Sequence, residues 1–153
     1  MKIGSPLYLV ESREPCWKCH KPQRVIALAT ARVDDDDDMN TMDGGPANEP
    51  LLFKNVESLD PVLEQWLAIH EPDYRRHFSR MAGMEYFANL CPGCGANFGD
   101  HFLHEAGGAF FPMRPEEAEL MSLIELPLEG EFRIEADWVM GAGDLLLEYA
   151  QRR

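Results

Sequence analysis

No run of eighteen apolar residues occurs anywhere in the sequence, so nothing in it is built to cross a membrane as a helix. The first residues, MKIGSPLYLVESREP, hold only a short apolar patch broken by Pro6 and Glu11. That is not the apolar stretch of an export signal, and the expected compartment is the cytosol. Basic residues are scarce: 14 Lys and Arg stand against 27 Asp and Glu, a net charge of −13. Phosphate backbones repel such a chain, which excludes sequence-independent nucleic-acid binding. There is no phosphate-binding Gly loop, no G-x-S-x-G elbow, no H-E-x-x-H and no internal repeat. Cysteine is sparse too, at four residues.

At 153 residues with 45% hydrophobic content, the chain is expected to form one domain over residues 1–153, with a real core and no need of disulfide staples. Acid is concentrated in residues 34–50, DDDDDMNTMDGGPANEP. Asp34 to Asp38, Asp43 and Glu49 there supply more than half of the net charge, with no Lys or Arg among them. The expectation is a solvated, flexible acidic loop, since the Gly and distal Glu of a calcium loop are missing from the register.

All four cysteines fall into C-x-x-C pairs, Cys16/Cys19 and Cys91/Cys94. Two residues between thiolates let a tight turn present both sulfurs to one ion, and two such turns complete a tetrahedron. In a chain without an export signal this reads as a four-cysteine Zn²⁺ site, not a disulfide framework. Gly95 beside the second pair tolerates positive φ, so backbone N–H groups can turn toward the sulfurs. Lys18 and Lys21 flank the first pair and offset part of the thiolate charge. RVIALATARV after Cys19 and MEYFANL before Cys91 read as strands, the setting of a zinc ribbon. A thioredoxin-like dithiol would sit at the start of a helix, and a haem site (Cys16 to His20 matches C-x-x-C-H literally) requires export. The 71 residues between Cys19 and Cys91 exceed the spacing of a compact finger. Each doubling of a flexible loop costs only about 0.6 kcal/mol, against ~10–16 kcal/mol from a structural zinc.

A helical insert is expected over residues 58–83. Asp60 is an N-cap and Pro61 the first helical residue, with Val62, Trp66 and Ile69 as its stripe, joined by Leu63 and Leu67, ending near His70. A second helix is expected from Pro72 to Ala82, stopped by Gly83, with Tyr74, Phe78 and Met81 apolar and Arg75, Arg76, His77 and Arg80 opposite. After the second pair, Asp100, His101, His104 and Glu105 offer ligands for a second, catalytic metal, although the bracketing glycines favour a short strand or turn. Phe98, Phe102, Leu103, Phe110 and Phe111 read as core around the zinc. In the tail, Pro115 opens a short helix, EFRIEADWVM alternates as a half-buried strand, Gly141 and Gly143 make a turn, and DLLLEYAQRR closes as helix or strand.

The segments PCWKCHKPQRVIALA and YFANLCPGCGANFGDHFLHEAGGAFFP resemble a group of uncharacterised bacterial zinc-ribbon-like proteins. Asn89, Cys91, Pro92, Cys94, Gly95, Gly99, Asp100, Leu103, His104, Gly107, Gly108, Phe110, Phe111 and Pro112 carry the likeness. It covers about a third of the chain, and it implies the fold and the metal but no activity. The resulting expectation is an α+β domain, a split zinc ribbon of antiparallel strands with a helical insert between knuckles. One structural Zn²⁺ would be held by Cys16, Cys19, Cys91 and Cys94. The expected role is a non-enzymatic module that binds a basic protein partner, such as a toxin that it neutralises. The alternatives are a metal-dependent hydrolase using Asp100, His101, His104 and Glu105, and a C-x-x-C thiol oxidoreductase.

Overall fold

The computed structural model describes residues 1–31, 51–139 and 143–153. The acidic segment 34–50, Met140 and Gly141 lie outside the described residues. Among the described residues, nine strands and four short helices give a mixed sheet with few helices, an α+β arrangement. In chain order they are β1 (Lys2–Gly4), β2 (Leu7–Pro15), β3 (Pro22–Thr30), β4 (Leu51–Leu59), α1 (Pro61–His70), β5 (Tyr74–Ser79), β6 (Met84–Asn89), α2 (Asp100–Leu103), α3 (Pro115–Ala118), β7 (Ser122–Glu125), β8 (Glu131–Val139), α4 (Gly143–Tyr149) and β9 (Gln151–Arg152). The main path of the sheet runs β1-β8-β4-β3-β2-β7-β9, and the β5–β6 hairpin joins it where β6 meets β4. Neighbours are antiparallel except β7 and β9.

Strand β3 explains the architecture. Its run VIALAT is buried without interruption, because residues on both faces of this central strand meet apolar layers. Val25, Ala27 and Ala29 point into one layer with Val10, Leu52, Phe98, Leu103, Phe110, Leu146 and the cysteines Cys16 and Cys91. Ile26 and Leu28 point into the other, with Leu7, Leu9, Phe53, Leu63, Leu67, Tyr74, Phe87, Phe132 and Ile134. The cysteine knuckles therefore lie on one side of the sheet and α1 on the other.

Helix α1 begins and ends as its sequence requires. Asp60 accepts the Val62 N–H through Oδ1 at 3.3 Å, Pro61 takes the first turn, and the helix stops at His70. Its buried pair is Leu63 and Leu67, whereas Val62 and Ile69 of the expected stripe face solvent. Leu63 and Leu67 are the two positions one turn apart that reach the sheet; Trp66, half-buried, stacks on His70 with ring centroids 4.2 Å apart.

The second helix of the insert does not form. Residues 74–79 are a strand paired with β6 from Tyr74↔Asn89 to Ser79↔Met84. Tyr74 and Phe78 satisfy helical spacing, but they satisfy the period of two as well, and the neighbouring strand β6 supplies the partner that decides. Gly83, at φ 67, closes this hairpin rather than capping a helix; both roles ask for the same backbone conformation. The insert is thus strand, helix and hairpin, not a helical unit, and Phe78 and Met81 are exposed. Strand β8 forms as expected with Phe132 and Ile134 inward, but Trp138 is 36% exposed. The sequence carries no expected element at β1, β2, β4 or β7.

Candidate metal centre

Each C-x-x-C sits in a turn leaving a strand. The first joins β2 to β3, whose register closes at Pro15↔Pro22, and the second follows β6 and returns through the Leu90↔Asn97 bridge. Their hydrogen bonding is the same, bond for bond. Cys16 N–H donates to Lys21 O at 2.9 Å and His20 N–H to Cys16 O at 2.8 Å. Cys91 N–H donates to Ala96 O and Gly95 N–H to Cys91 O, both at 2.8 Å. The residue after the second cysteine has positive φ in each, 64° at His20 and 76° at Gly95. The sequence displays this requirement at Gly95 and conceals it at His20.

The two turns face each other. Cys16 Sγ lies 3.6 Å from Cys94 Sγ, and Cys19 Sγ lies 3.7 Å from Cys91 Sγ. All four sulfurs fall within 4.8 Å of one another. Thiolates at about 2.3 Å from a tetrahedral zinc stand about 3.8 Å apart. The four cysteines are therefore positioned to hold one metal ion. None is oxidised. Soft thiolate donors in a tetrahedron suit zinc or iron and disfavour calcium and magnesium.

Backbone dipoles prepare the sulfurs. N–H groups of Cys19 and Lys18 point at Cys16 and outweigh its burial, lowering its thiol to about 6. Burial opposes ionisation of Cys91, yet the N–H groups of Cys94 and Gly93 prevail and its thiol is lowered as well. Cys94 receives the Ala96 N–H, but partial desolvation and the three neighbouring sulfurs push it up to about 11. Four thiolates cannot coexist here without a cation, and a dication resolves that conflict.

Beneath the site, Phe98, Leu103 and Phe110 are buried in the same layer as Cys16 and Cys91, with Phe111 packed against it. Phe102, expected in that core, is 55% exposed. Trp17 projects from the first knuckle, 63% exposed, and its indole N–H donates to Asn97 O at 2.8 Å, tying one knuckle to the other. Asn89, two residues before Cys91, is buried, and its amide bonds both backbone groups of Ile26 on β3.

The second cluster divides. Residues 100–103 form a single helical turn, not the expected strand or turn, so positions four apart share a side. Asp100 and His104 turn inward and are buried, while His101 and Glu105 stand in solvent 3.1 Å from each other. Among the described residues, the four cysteines form the one group of three or more His, Cys, Asp or Glu side chains whose ligand atoms converge. Asp100, His101, His104 and Glu105 do not assemble a metal site.

Asp100 instead anchors β4. Its Oδ2 accepts the backbone N–H of Asn55 at 2.8 Å, where β4 shifts register against β8 and Asn55 takes φ 49°. Burial drives the Asp100 carboxyl up to about 7, against the Asn55 N–H and Lys54, which favour its ionised form. Burial and Lys54 together push His104 down to about 4, and among the described residues its Nδ1 has no hydrogen-bond partner. The sequence marked both residues as ligands of a second metal; the role of Asp100 in the sheet needed the bulge, which no local pattern announces.

No protein-family model, curated protein or solved structure matches this chain. None of these comparisons confirms a zinc ribbon. No helix among the described residues is long and apolar enough to cross a membrane.

Proposed function

We propose that the chain is a non-enzymatic, cytosolic protein-binding module whose fold is a split zinc ribbon locked by one structural Zn²⁺, and that its partner is a basic protein. The observation that carries this reading is the closed donor set. Cys16, Cys19, Cys91 and Cys94 supply all four positions of a tetrahedron, which leaves no site for an activated water or a substrate. The matching hydrogen bonds of the two knuckles support the ribbon assignment. The excess of 27 acidic over 14 basic residues supports a cationic partner, through steering and charge complementarity.

Metal analysis of the purified protein tests the first half. One zinc per chain is expected, together with loss of the cooperative melt on chelation and of metal in Cys91→Ser. Two metals per chain, or a fold indifferent to chelation, would contradict it. Affinity purification from the source cells tests the second half. The expected partner is basic and its binding weakens several-fold between 50 and 200 mM salt, as a charge-steered contact must. A salt-insensitive acidic partner, or robust turnover of a substrate, would replace the binding module with another function.

A further inference from the structure

We propose that the metal centre is a peroxide-modifiable site in which oxidation exchanges the ion for a disulfide between the two knuckles, so that the fastening of the molecule changes chemistry without being lost. The proposal rests on the metal reading above and adds to it a specific pairing. Two sulfur–sulfur contacts short enough for hydrogen bonding run across the knuckles, Cys16 to Cys94 at 3.6 Å and Cys19 to Cys91 at 3.7 Å. Access is unequal: Cys16 and Cys91 are buried, Cys19 is partly buried, and Cys94 is the most exposed of the four residues.

The order of events follows from access and proximity. Coordination to the ion would hold Cys94 as a thiolate; this sulfur attacks one oxygen of hydrogen peroxide, the O–O bond breaks, and hydroxide leaves, giving a sulfenic acid on Cys94. The Cys16 thiolate, in contact with that sulfur, attacks it; the S–O bond breaks, the S–S bond forms and a second hydroxide leaves. Two thiolates are oxidised by two electrons and one peroxide is reduced to two hydroxides. Two of the four ligands are thereby removed, and zinc is released.

The consequence differs sharply between pairings. Disulfides within each C-x-x-C would release zinc and leave neither a covalent nor a metal link between the β2–β3 turn and the segment after β6. A Cys16–Cys94 bond spans that junction and closes a loop of 78 residues in place of the ion. Trp17 and Asn97 already hold the two turns together from outside.

The test uses the wild-type, zinc-loaded protein, so no variant has to fold. One equivalent of hydrogen peroxide is added, released zinc is read with a chromogenic chelator, and free thiols are alkylated before peptide mass mapping. The expected outcome is a Cys16–Cys94 crosslinked peptide appearing in step with release of about one zinc per chain. The cooperative melt survives oxidation, and dithiothreitol plus zinc restores the original state. Cys16–Cys19 or Cys91–Cys94 as the main product, or loss of the melt when zinc leaves, would overturn the proposal. So would zinc retained with all four thiols still alkylated. A preparation isolated without metal that still crosslinks Cys16 to Cys94 would sink the zinc reading while upholding the pairing.

Discussion

The carboxamide of Asn89 and the backbone of Ile26 form a closed ring of two hydrogen bonds: Oδ1 accepts the Ile26 N–H and Nδ2 donates to the Ile26 carbonyl, each at 2.9 Å. A side chain here does what a neighbouring strand would do, and fixes the second knuckle to the strand that leaves the first. Asn89→Leu is expected to cost about 2–4 kcal/mol, because both buried Ile26 groups lose their partners. Asn89→Asp keeps the acceptor, loses the donor and buries a charge, so it should be no milder. Urea unfolding of the zinc-loaded protein measures both. A cost below the uncertainty of the melt would mean that the ring closes without holding anything.

His20 and Gly95 occupy equivalent positions of two equivalent turns, and only one is glycine. A side chain in the left-handed region costs about 1–2 kcal/mol, part of which glycine returns through its larger unfolded-state entropy. His20→Gly is therefore expected to stabilise the protein by about 0.5–1 kcal/mol, and Gly95→Ala to destabilise it by a similar amount. Thermal melts at fixed zinc would register this as shifts of a few degrees in opposite directions, with zinc stoichiometry unchanged.

Gly107 and Gly108 look alike in the sequence and differ in space. Gly107 has φ 80° with open surroundings, whereas a Cβ on Gly108 would lie 2.5 Å from the Phe102 carbonyl and 2.8 Å from that of Leu103. Backbone oxygens cannot swing aside. Gly108→Ala should cost about 2–3 kcal/mol or more through overpacking, and Gly107→Ala about 1–2 through backbone strain alone. Chemical denaturation of both variants checks the order, and equal costs would show that the 104–111 turn can relax.

The metal centre was legible because its signal is local: two residues between cysteines, a Pro-Gly turn and a glycine after the second ligand. So was α1, whose Asp60-Pro61 start and Pro72 stop act through nearest neighbours. Strand β5 was not, since six residues with aromatics at 74 and 78 fit a helix or a strand until β6 is beside them. The same holds for Asp100 and His104. The ligand types were visible four apart, but their direction was set by a one-turn helix and by a bulge in β4 some forty-five residues earlier. Exposure of Phe102 beside buried Leu103 turns on that same helical turn.

Asp100 and His104 also make opposing demands on pH. Asp100 is raised to about 7, so its folded form keeps a proton that the unfolded chain releases near pH 4. Its contribution to stability is full below about pH 4 and is lost as pH rises through 7. His104 is lowered to about 4, so its contribution is present above about 6.5 and lost as pH falls through 4. Between pH 4 and 6.5 the two slopes oppose each other, and the wild type should respond weakly to pH over that window. Asp100→Asn removes one of them while keeping an oxygen to accept the Asn55 N–H. Relative to wild type, the variant should therefore gain about 2 kcal/mol as pH rises from 5.5 to 8, the span over which the buried carboxyl ionises. Urea unfolding of both proteins at the two pH values, in zinc-saturated buffer, gives the difference directly. A pH-independent difference would show that Asp100 ionises in the folded protein as it does in the unfolded chain, and that its burial has been offset by contacts beyond Asn55 and Lys54.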